Sequence, residues 1–222
     1  MTRWLLLDIE GTTTAVDFVH MTLFPYARER LAAFAGANAA NPDVREALRL
    51  TIETLKAEGN GHTDPIGQLI AWIDADRKHT GLKLLQGLIW REGYERGAFV
   101  SHVYADVAPA LVRWRMSGGR VAIYSSGSEE AQRLLFGHTE AGDLTVHFSA
   151  HFDTRIGAKR DASSYAAIAK ALAANPADVF FLSDIVAELD AARAAGMHAT
   201  QVVRPGTTPG NDHPVIADFS TL

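Results

Sequence analysis

The amino-acid sequence predicts an α/β protein with a doubly wound, Rossmann-like parallel sheet and a helical insertion after the first strand. Short apolar runs recur along the chain, each with the length of a strand that is buried on both faces. Helical patterns separate most of these runs, and such alternation is typical of a parallel sheet covered on both sides. One long segment, residues 18–100, contains helical patterns without a convincing buried strand.

Four runs are predicted to be strands of the sheet. Each is rich in apolar or β-branched residues and is followed by polar or turn-forming residues. The runs are RWLLLD at residues 3–8, RVAIYS at 120–125, DVFFLSD at 178–184 and HATQVV at 198–203. Ligands of such sheets bind beyond the carboxyl ends of the strands, so Asp8, Ser125 and Asp184 are the first candidates for function.

The helices between these strands are predicted from amphipathic patterns and from their terminal residues. Ser128 can cap a helix whose first turn contains Glu129, and Gly118 and Gly196 are stop signals for two others. The predicted helices are 106–117, 129–136, 162–173 and 186–195. The tail, residues 204–214, is predicted to be a loop because of its proline and glycine content.

The helical insertion is predicted to form a second domain. Its expected helices are 43–57, indicated by Leu48, Leu50, Ile52 and Leu55, then 65–79 and 82–93. We expect residues 1–17 and 101–222 to form the core and residues 18–100 to form a cap. Because the insertion follows the loop after the first strand, it is positioned to close over a site there as a lid.

The composition excludes several classes of function. Of 222 residues, 47% are apolar and 21% charged, and the formal net charge of −5 gives no basic footprint for a nucleic acid. The lack of cysteine excludes disulfides, zinc–thiolate sites and thiol catalysis. No run approaches a membrane span, and the N-terminal run is too short for a signal peptide. We expect a soluble cytoplasmic protein without a nucleic-acid or membrane partner.

An acid pair follows the first predicted strand, in the sequence DIEGTT at residues 8–13. Asp8 and Glu10 lie on one side of an extended segment. Because their like charges repel, we expect a cation or a shared proton between them. Magnesium suits such oxygen ligands, and a carboxylate beside it can attack phosphorus. The second acid can protonate the leaving oxygen and later activate water. The alternative is a strand edge whose acids face solvent.

Three further motifs follow later strands. The hydroxyls and backbone N–H groups of residues 125–128 can cradle a phosphate at a helix N-terminus, although an ordinary capped turn is the favoured interpretation of that motif alone. Lys159 can neutralise phosphate charge, although most lysines are solvated surface groups. Asp184 ends a buried strand, with Glu188 four residues later, and is as plausibly a helix cap as a metal ligand.

These motifs occur together in one order, and the constellation resembles the haloacid-dehalogenase-like phosphatase superfamily. Its motifs match residues 8–12, Ser125, Lys159 and Asp184, and the insertion resembles its mobile cap. The chain more closely resembles the enolase-phosphatase E1 family of methionine salvage. The segments that carry this resemblance are 7–13, 17–20, 23–27, 83–90, 93–94, 103–107, 125–128, 157–159 and 203–206.

The resemblance implies the reaction and its cofactor. The substrate would be 2,3-diketo-5-methylthiopentyl-1-phosphate, which the enzyme would enolise and dephosphorylate to the acireductone 1,2-dihydroxy-3-keto-5-methylthiopentene. One Mg²⁺ ion would serve both steps, by polarising a carbonyl and by neutralising phosphate charge. Since a cap could enclose the site, a monomer would suffice, with a small phosphate ester as its only partner.

The resemblance also implies roles for individual residues. Asp8 would be the nucleophile and Glu10 the acid/base, and the base for enolisation stays open. The metal ligands would be Asp8, Glu10 and Asp184, with Glu10 binding through its carbonyl, its side chain or both. The phosphate-binding residues would be Ser125, Ser126, Gly127, Thr12 and Lys159, the last of which would also be catalytic.

The cap would supply the pocket for the methylthio chain. The candidates are Phe18, His20, Gln86, Trp90 and Tyr94. For Trp90 and Tyr94, packing at helical spacing is the stronger interpretation, and His20 is more often a structural histidine than a catalyst. His147 and His151 have a spacing that binds metal on a helix, but residues 146–152 have an extended pattern.

Three other functions are compatible with parts of this pattern. A related phosphatase acting on another small ester would share the core motifs and differ in the cap. A dehalogenase would need neither magnesium nor Glu10. A non-catalytic binding module is disfavoured because it has no physical reason to keep Asp8, Glu10, Lys159 and Asp184 together.

Overall fold

The computed structural model of the protein describes residues 3–222, so the first two residues of the predicted core segment 1–17 lie outside it. The strands of this part of the chain are β1 (Trp4–Leu7), β2 (Arg120–Tyr124), β3 (Ala150–Phe152), β4 (Val179–Ser183), β5 (His198–Val202) and β6 (Val215–Ile216). Within residues 3–222 they form one six-stranded sheet of order β3-β2-β1-β4-β5-β6, and all neighbours are parallel. The predicted fold class is confirmed.

Helices alternate with these strands and also fill the insertion. In chain order they are α1 (Val16–Phe18), α2 (Phe24–Ala37), α3 (Pro42–Ala57), α4 (Pro65–Asp74), α5 (Thr80–Glu95), α6 (Val107–Met116), α7 (Glu129–Gly137), α8 (Ala162–Ala171) and α9 (Val186–Ala194). A π-helical turn, Val19–Leu23, joins α1 to α2. The described part of the chain contains no helix long and apolar enough to cross a membrane.

Both faces of the sheet are buried, which explains why its strands are continuous apolar runs. Leu5 and Leu7 of β1 pack with α6, α7 and the C-terminal Phe219 on one face. Trp4 and Leu6 pack with α8 and α9 on the other. A strand that buries alternate side chains on opposite faces has no polar face to present to water.

The two edge strands were not predicted. β3 is only three residues long and covers the end of the extended segment 146–152, whereas Thr145–His147 form a 3-10 turn. β6 is a two-residue strand beyond the predicted loop. Both lie at the edges of the sheet, where burial on two faces is not required, so neither carries a long apolar run.

The chain divides into two compact units. One comprises the segment up to Val16 together with Val100–Leu222, and the other is Asp17–Phe99. In the second unit α5 packs against α2, α3 and α4 and is buried along most of its length. The helical unit therefore has a core of its own.

The two chain segments that leave the sheet unit run side by side at their start. The Tyr104 backbone N–H donates to the Thr13 carbonyl at 3.1 Å. The Ala15 N–H donates to His102 Nδ1 at 3.1 Å, and the Thr14 hydroxyl donates to the His102 carbonyl at 2.5 Å. These bonds hold the outgoing and returning segments together within the sheet unit.

Helix α3 occupies the predicted range 43–57, although Ile52, one of the residues that indicated it, is exposed. The buried residues of α3 are Val44, Ala47, Thr51 and Leu55, which recur at the spacing of one helical face. Helix α4 ends at Asp74 rather than near residue 79, because the chain turns away at Asp76, whose φ is +49°.

Candidate active site

Asp8 stands at the carboxyl end of the central strand β1. Its backbone N–H donates to the Leu182 carbonyl at 3.0 Å and so continues the pairing with β4. Its buried carboxylate accepts hydrogen bonds at Oδ1 from the Ile9 N–H, at 2.7 Å, and from Lys159 Nζ, at 2.6 Å. Oδ2 lies 3.1 Å from the Ser183 hydroxyl. The side chain is therefore fixed from several sides.

The turn after Asp8 brings the chain close to the end of β4. Gly11 has a φ of +73°, and a Cβ added to it would lie 2.4 Å from Asp184 Oδ2. The Thr12 hydroxyl accepts the Asp184 N–H at 3.0 Å. Glu10 is half-buried in this turn, and its negative charge contributes to the raised pKa of Asp184. Only glycine allows this approach, since other residues avoid positive φ and would contact the carboxylate.

Lys159 lies between two carboxylates. Its Nζ is 2.6 Å from Asp8 Oδ1 and 2.7 Å from Glu188 Oε2, and its side chain is 11% exposed. Burial alone would lower the pKa of Lys159, but the charges of Asp8 and Glu188 outweigh it and raise that pKa. The Tyr165 hydroxyl donates to the Lys159 carbonyl at 2.8 Å, which holds the loop that carries the lysine.

The end of β4 contributes two further acids. Burial, followed by the charge of Asp8, raises the pKa of Asp184 to about 6. The same two causes raise the pKa of Glu188 above its usual value, against the opposing effect of Lys159. The Ser183 hydroxyl lies 3.0 Å from Glu188 Oε2 and 3.1 Å from Asp8 Oδ2. One lysine faces several acids, so the site carries surplus negative charge.

The loop after β2 leads directly into α7. The Ser125 hydroxyl accepts the Gly127 N–H at 3.1 Å, and the Ser128 hydroxyl caps the helix by accepting the Ala131 N–H at 3.3 Å. Ser126 is half-buried in the same loop. The predicted phosphate loop therefore lies at a helix N-terminus, where backbone N–H groups favour an anion.

The donor set fits magnesium. Among residues 3–222 no three His, Cys, Asp or Glu side chains converge as a ready metal cage. Magnesium does not require one, because it keeps several waters and takes one or two carboxylates beside a substrate phosphate. Asp184 Oδ1 is buried and has no hydrogen-bond partner among the described residues. A cation would satisfy this oxygen and would offset the charge that raises the pKa of Asp184.

Comparisons with known proteins identify the family. A model of haloacid dehalogenase-like hydrolases matches residues 2–196. The chain is 56% identical over 209 residues to the enolase-phosphatase E1 of Sorangium cellulosum, which covers 92% of this chain and 89% of that protein. The chain belongs to the enolase-phosphatase E1 family. It is also 47% identical over 222 residues to the Klebsiella oxytoca enolase-phosphatase E1, covering 100% of this chain and 97% of the relative.

One solved structure shares the fold of this chain over its whole length. The crystal structure of the UTR4 protein from Saccharomyces cerevisiae superposes with a TM-score of 0.82 and 34% identity, covering 100% of both chains. The protein is thus a hydrolase of the phosphatase type, and phosphatases of the haloacid dehalogenase-like superfamily are generally magnesium-dependent.

The residues predicted to line a substrate pocket have different environments within the helical unit. His20 is exposed, and its ring meets that of Phe24 edge-on at 5.3 Å, whereas Phe18 is half-buried. Gln86 is buried. Trp90 is buried, donates to the Leu23 carbonyl at 2.8 Å and stacks on Phe24. Contact of these residues with the substrate of the enolase-phosphatase E1 family stays a prediction.

Tyr94, the remaining candidate, is buried in the same unit. Its ring meets that of Phe99 edge-on, with the centroids 4.5 Å apart. The histidine pair gives no metal site of the helical type. His147 lies in a 3-10 turn and His151 in β3, where His151 Nδ1 is 3.1 Å from Gln132 Oε1.

Sequence reasoning assigned no role to several residues that support the site. Glu188 was noted only for its spacing from Asp184, and Ser183 only as part of a motif, although both contact the Asp8–Lys159 pair. Gln132 and Arg204 contact the site loops by their side chains. The available signal was weak: Glu188 is an acid in the first turn of a helix, where an acid is common in any case.

Proposed function

We propose that this protein is a bifunctional enolase-phosphatase of methionine salvage. It converts 2,3-diketo-5-methylthiopentyl-1-phosphate to the acireductone 1,2-dihydroxy-3-keto-5-methylthiopentene and phosphate. The observation that supports this most directly is the buried carboxylate of Asp8, bound to Lys159 at 2.6 Å beside the unpartnered Oδ1 of Asp184. A nucleophile, a cation and a free metal-binding oxygen thus meet at one edge of the sheet in a chain of the enolase-phosphatase E1 family.

In the phosphatase half-reaction Asp8 is the nucleophile. One of its oxygens forms a bond to phosphorus as the bond from phosphorus to the substrate oxygen breaks, and Glu10 donates a proton to that leaving oxygen. Glu10 then takes a proton from the water that hydrolyses the aspartyl-phosphate. Lys159 and the 125–128 loop, through Ser125, Ser126 and Gly127, balance the phosphate charge. The phosphate-binding role of Thr12 stays a prediction, since its hydroxyl accepts the Asp184 N–H.

Asp8 and Asp184 would hold one Mg²⁺ ion, with Glu10 as a third ligand through its carbonyl, its side chain or both. When bound, the ion would polarise the substrate carbonyl and neutralise phosphate charge. In the enolase half-reaction a base removes a proton from the carbon next to that carbonyl. Glu10 is our candidate for this base because it carries a carboxylate in the same turn as Asp8.

The helical unit is proposed to act as a cap. Phe18, His20 and Gln86 are candidates for contact with the methylthio chain, and Trp90 supports them by packing in the same unit. The protein is proposed to act as a monomer in the cytoplasm, with which its lack of cysteine is compatible. Light scattering and cell fractionation test these two statements.

The function is tested by following ultraviolet absorbance and free phosphate together, with the diketone phosphate and Mg²⁺. We expect both an enediol chromophore and phosphate, and loss of phosphate release with EDTA. Asp8→Asn should lower phosphate release more than about a thousandfold, and Glu10→Gln about a hundredfold or more. The control is Asp43→Asn, which alters an exposed acid of α3.

Each other outcome points to a different function. Release of phosphate from generic esters but not from the diketone would identify a phosphatase of another specificity and would contradict the proposed role of the cap. No turnover of any ester, with binding of phosphate intact, would favour a non-catalytic binding module.

A further inference from the structure

Two segments that connect the sequence to the enolase-phosphatase E1 family have no role in the chemistry above. They are VYADV at residues 103–107 and VRPG at 203–206. The structure joins them through a fork-to-fork ion pair. Arg204 Nη1 is 2.9 Å from Asp106 Oδ1, and Nη2 is 2.7 Å from Oδ2. Pairs of this geometry are the strongest and most directional that an arginine forms.

The ion pair is enclosed by aromatic side chains. The Arg204 guanidinium lies 4.1 Å from the ring centroid of Tyr104 and 5.1 Å from that of Phe219. Arg204 is only 5% exposed. Asp106 also accepts the backbone N–H of Phe219, at 2.8 Å. A guanidinium that makes two hydrogen bonds to one carboxylate and lies against two aromatic rings is held in one orientation.

The remaining nitrogen of this guanidinium contacts the active-site turn. Arg204 Nε donates to the Thr12 carbonyl at 3.0 Å. The same Thr12 accepts the Asp184 N–H through its hydroxyl, and Gly11 precedes it with a φ of +73°. Arg204 follows the end of β5. Its side chain therefore binds the turn that carries Glu10, at the point where this turn contacts Asp184.

We propose that Arg204, oriented by Asp106, is a positioning residue for the turn of residues 10–12. It fixes Glu10 and the end of β4 relative to Asp8 without contacting the substrate. The proposal rests on the proposed phosphatase site. Lysine could keep the charge of Arg204, but it lacks the planar fork needed to bind Asp106 on one side and the Thr12 carbonyl on the other.

The test compares Arg204→Lys and Asp106→Asn with Arg28→Lys. Arg28 also forms a forked pair with Asp74, through Nε and Nη2 at 2.6 and 2.9 Å, but this pair is exposed and lies in the helical unit. We expect Arg204→Lys to lower kcat about 10- to 100-fold, because a small misplacement of reacting groups has effects of this size. The KM for the ester should change less than about threefold, since substrate-binding groups are retained.

Two further readouts separate positioning from a general loss of structure. The double variant should be no slower than Arg204→Lys alone, because both changes break one unit. Hydrogen exchange in a peptide covering residues 9–15 should accelerate in Arg204→Lys and stay unchanged in Arg28→Lys. This second measurement does not depend on turnover, so it tests whether Arg204 holds the turn even if the wild-type protein does not hydrolyse the diketone.

The proposal is overturned by any of three results. A folded Arg204→Lys variant with wild-type kcat would show that Arg204 is not needed to position the turn. A fall in kcat that only follows the folded fraction in thermal unfolding would assign Arg204 to stability alone. Unchanged exchange at residues 9–15 in a folded variant would show that Arg204 does not hold the turn.

Discussion

The carboxylate of Asp8 is oriented by its neighbours before any substrate binds. The Ile9 N–H and Lys159 both donate to Oδ1, and the Ser183 hydroxyl lies against Oδ2. Lys159 also pairs with Glu188, so its position is set by two acids rather than one. If Asp8 is the nucleophile, as proposed, a carboxylate held in this way needs little reorganisation during attack, which is a major source of rate enhancement.

Gly11 should be required for activity because of its contact with Asp184. Gly11→Ala places a Cβ 2.4 Å from Asp184 Oδ2 at a φ of +73°. We expect kcat to fall about a hundredfold, since displaced catalytic groups have effects of this order. The backbone strain itself should lower the free energy of unfolding by about 1–2 kcal/mol, measured by urea denaturation.

Gly142→Ala is the matched control. Gly142 has a φ of +89°, but a Cβ there meets nothing within 4 Å. It should destabilise the protein to a similar extent and leave kcat unchanged. Equal kcat values for the two variants would contradict the role given to Gly11.

The buried His151 should make stability depend on pH. Burial, with a smaller effect of Arg133, lowers the pKa of His151 from 6.5 to about 4. Between these values the unfolded chain binds a proton that the folded chain does not, so stability falls as pH falls. The free energy of unfolding is therefore unaffected by this histidine above pH 6.5, and it falls by up to about 3 kcal/mol as the pH falls toward 4.

His151→Asn should flatten this part of the pH profile, because its amide can still donate to Gln132 but does not titrate. Urea denaturation from pH 4 to 7 measures the effect. His62→Asn, a change at an exposed histidine, should leave the slope as in the wild type. A wild-type slope in His151→Asn would assign the pH dependence to other groups.

At the scale of elements, the proposed phosphate loop, residues 125–128, is held by a helix on one side and a strand on the other. Gln132 of α7 donates from Nε2 to the Gly127 carbonyl at 3.0 Å and to the Phe152 carbonyl at 2.7 Å. The Ser125 N–H donates to the same Phe152 carbonyl at 3.2 Å. The loop thus depends on the short edge strand β3 for its position.

Gln132→Leu should weaken phosphate binding more than it weakens the fold. It removes the side-chain donor from both carbonyls, although the Phe152 carbonyl keeps its bond from the Ser125 N–H, and should lower the free energy of unfolding by about 1–3 kcal/mol. We expect the inhibition constant of inorganic phosphate to rise about tenfold, equivalent to about 1.4 kcal/mol. Gln68→Leu, in α4, is the control and should change neither quantity by much. An unchanged inhibition constant in folded Gln132→Leu would contradict this role.

The central strands could be predicted because burial on both faces leaves a continuous apolar run. Strands β3 and β6 could not, because an edge strand of two or three residues has no such pattern. The range of α3 was predicted, but its buried side has no clear apolar pattern, because its buried positions include Ala47 and Thr51 whereas Ile52 is exposed. The presence of a helix could be predicted from the sequence, but the side that the helix buries depends on the elements that pack against it.

The site was predictable in part for a related reason. Asp8, Lys159 and Asp184 follow strands or precede helices, and parallel strands bring such positions to one edge. Gln132 and Arg204 act through side-chain contacts between residues far apart in sequence, such as Arg204 with Thr12. Such contacts have no local pattern.

At the scale of the whole molecule, the chain passes between the two units at 16–17 and at 99–100. The adjoining segments are held side by side by Thr14 and His102 within the sheet unit. The sheet unit therefore does not need the helical unit to bring its own ends together.

Replacing Asp17–Phe99 by a short glycine–serine linker should leave a folded core. We expect cooperative thermal unfolding and retained binding of inorganic phosphate, with kcat/KM for the diketone lowered about a hundredfold or more through loss of enclosure. The same linker inserted at the exposed residues 59–61, with the helices retained, is the control. Non-cooperative unfolding of the excised variant alone would contradict the independence of the core.

Strand β1 lies at the centre of the sheet although it is the first to be synthesised. It pairs with β2 and with β4, whose residues Val179–Ser183 are made more than a hundred positions later. The helical unit, by contrast, is one continuous segment, Asp17–Phe99, with its own internal contacts. On the ribosome the inserted unit can thus be complete while the strand before it still waits for its neighbours. The apolar side chains of Trp4–Leu7 therefore stay unburied by the sheet until β2 and β4 have been made.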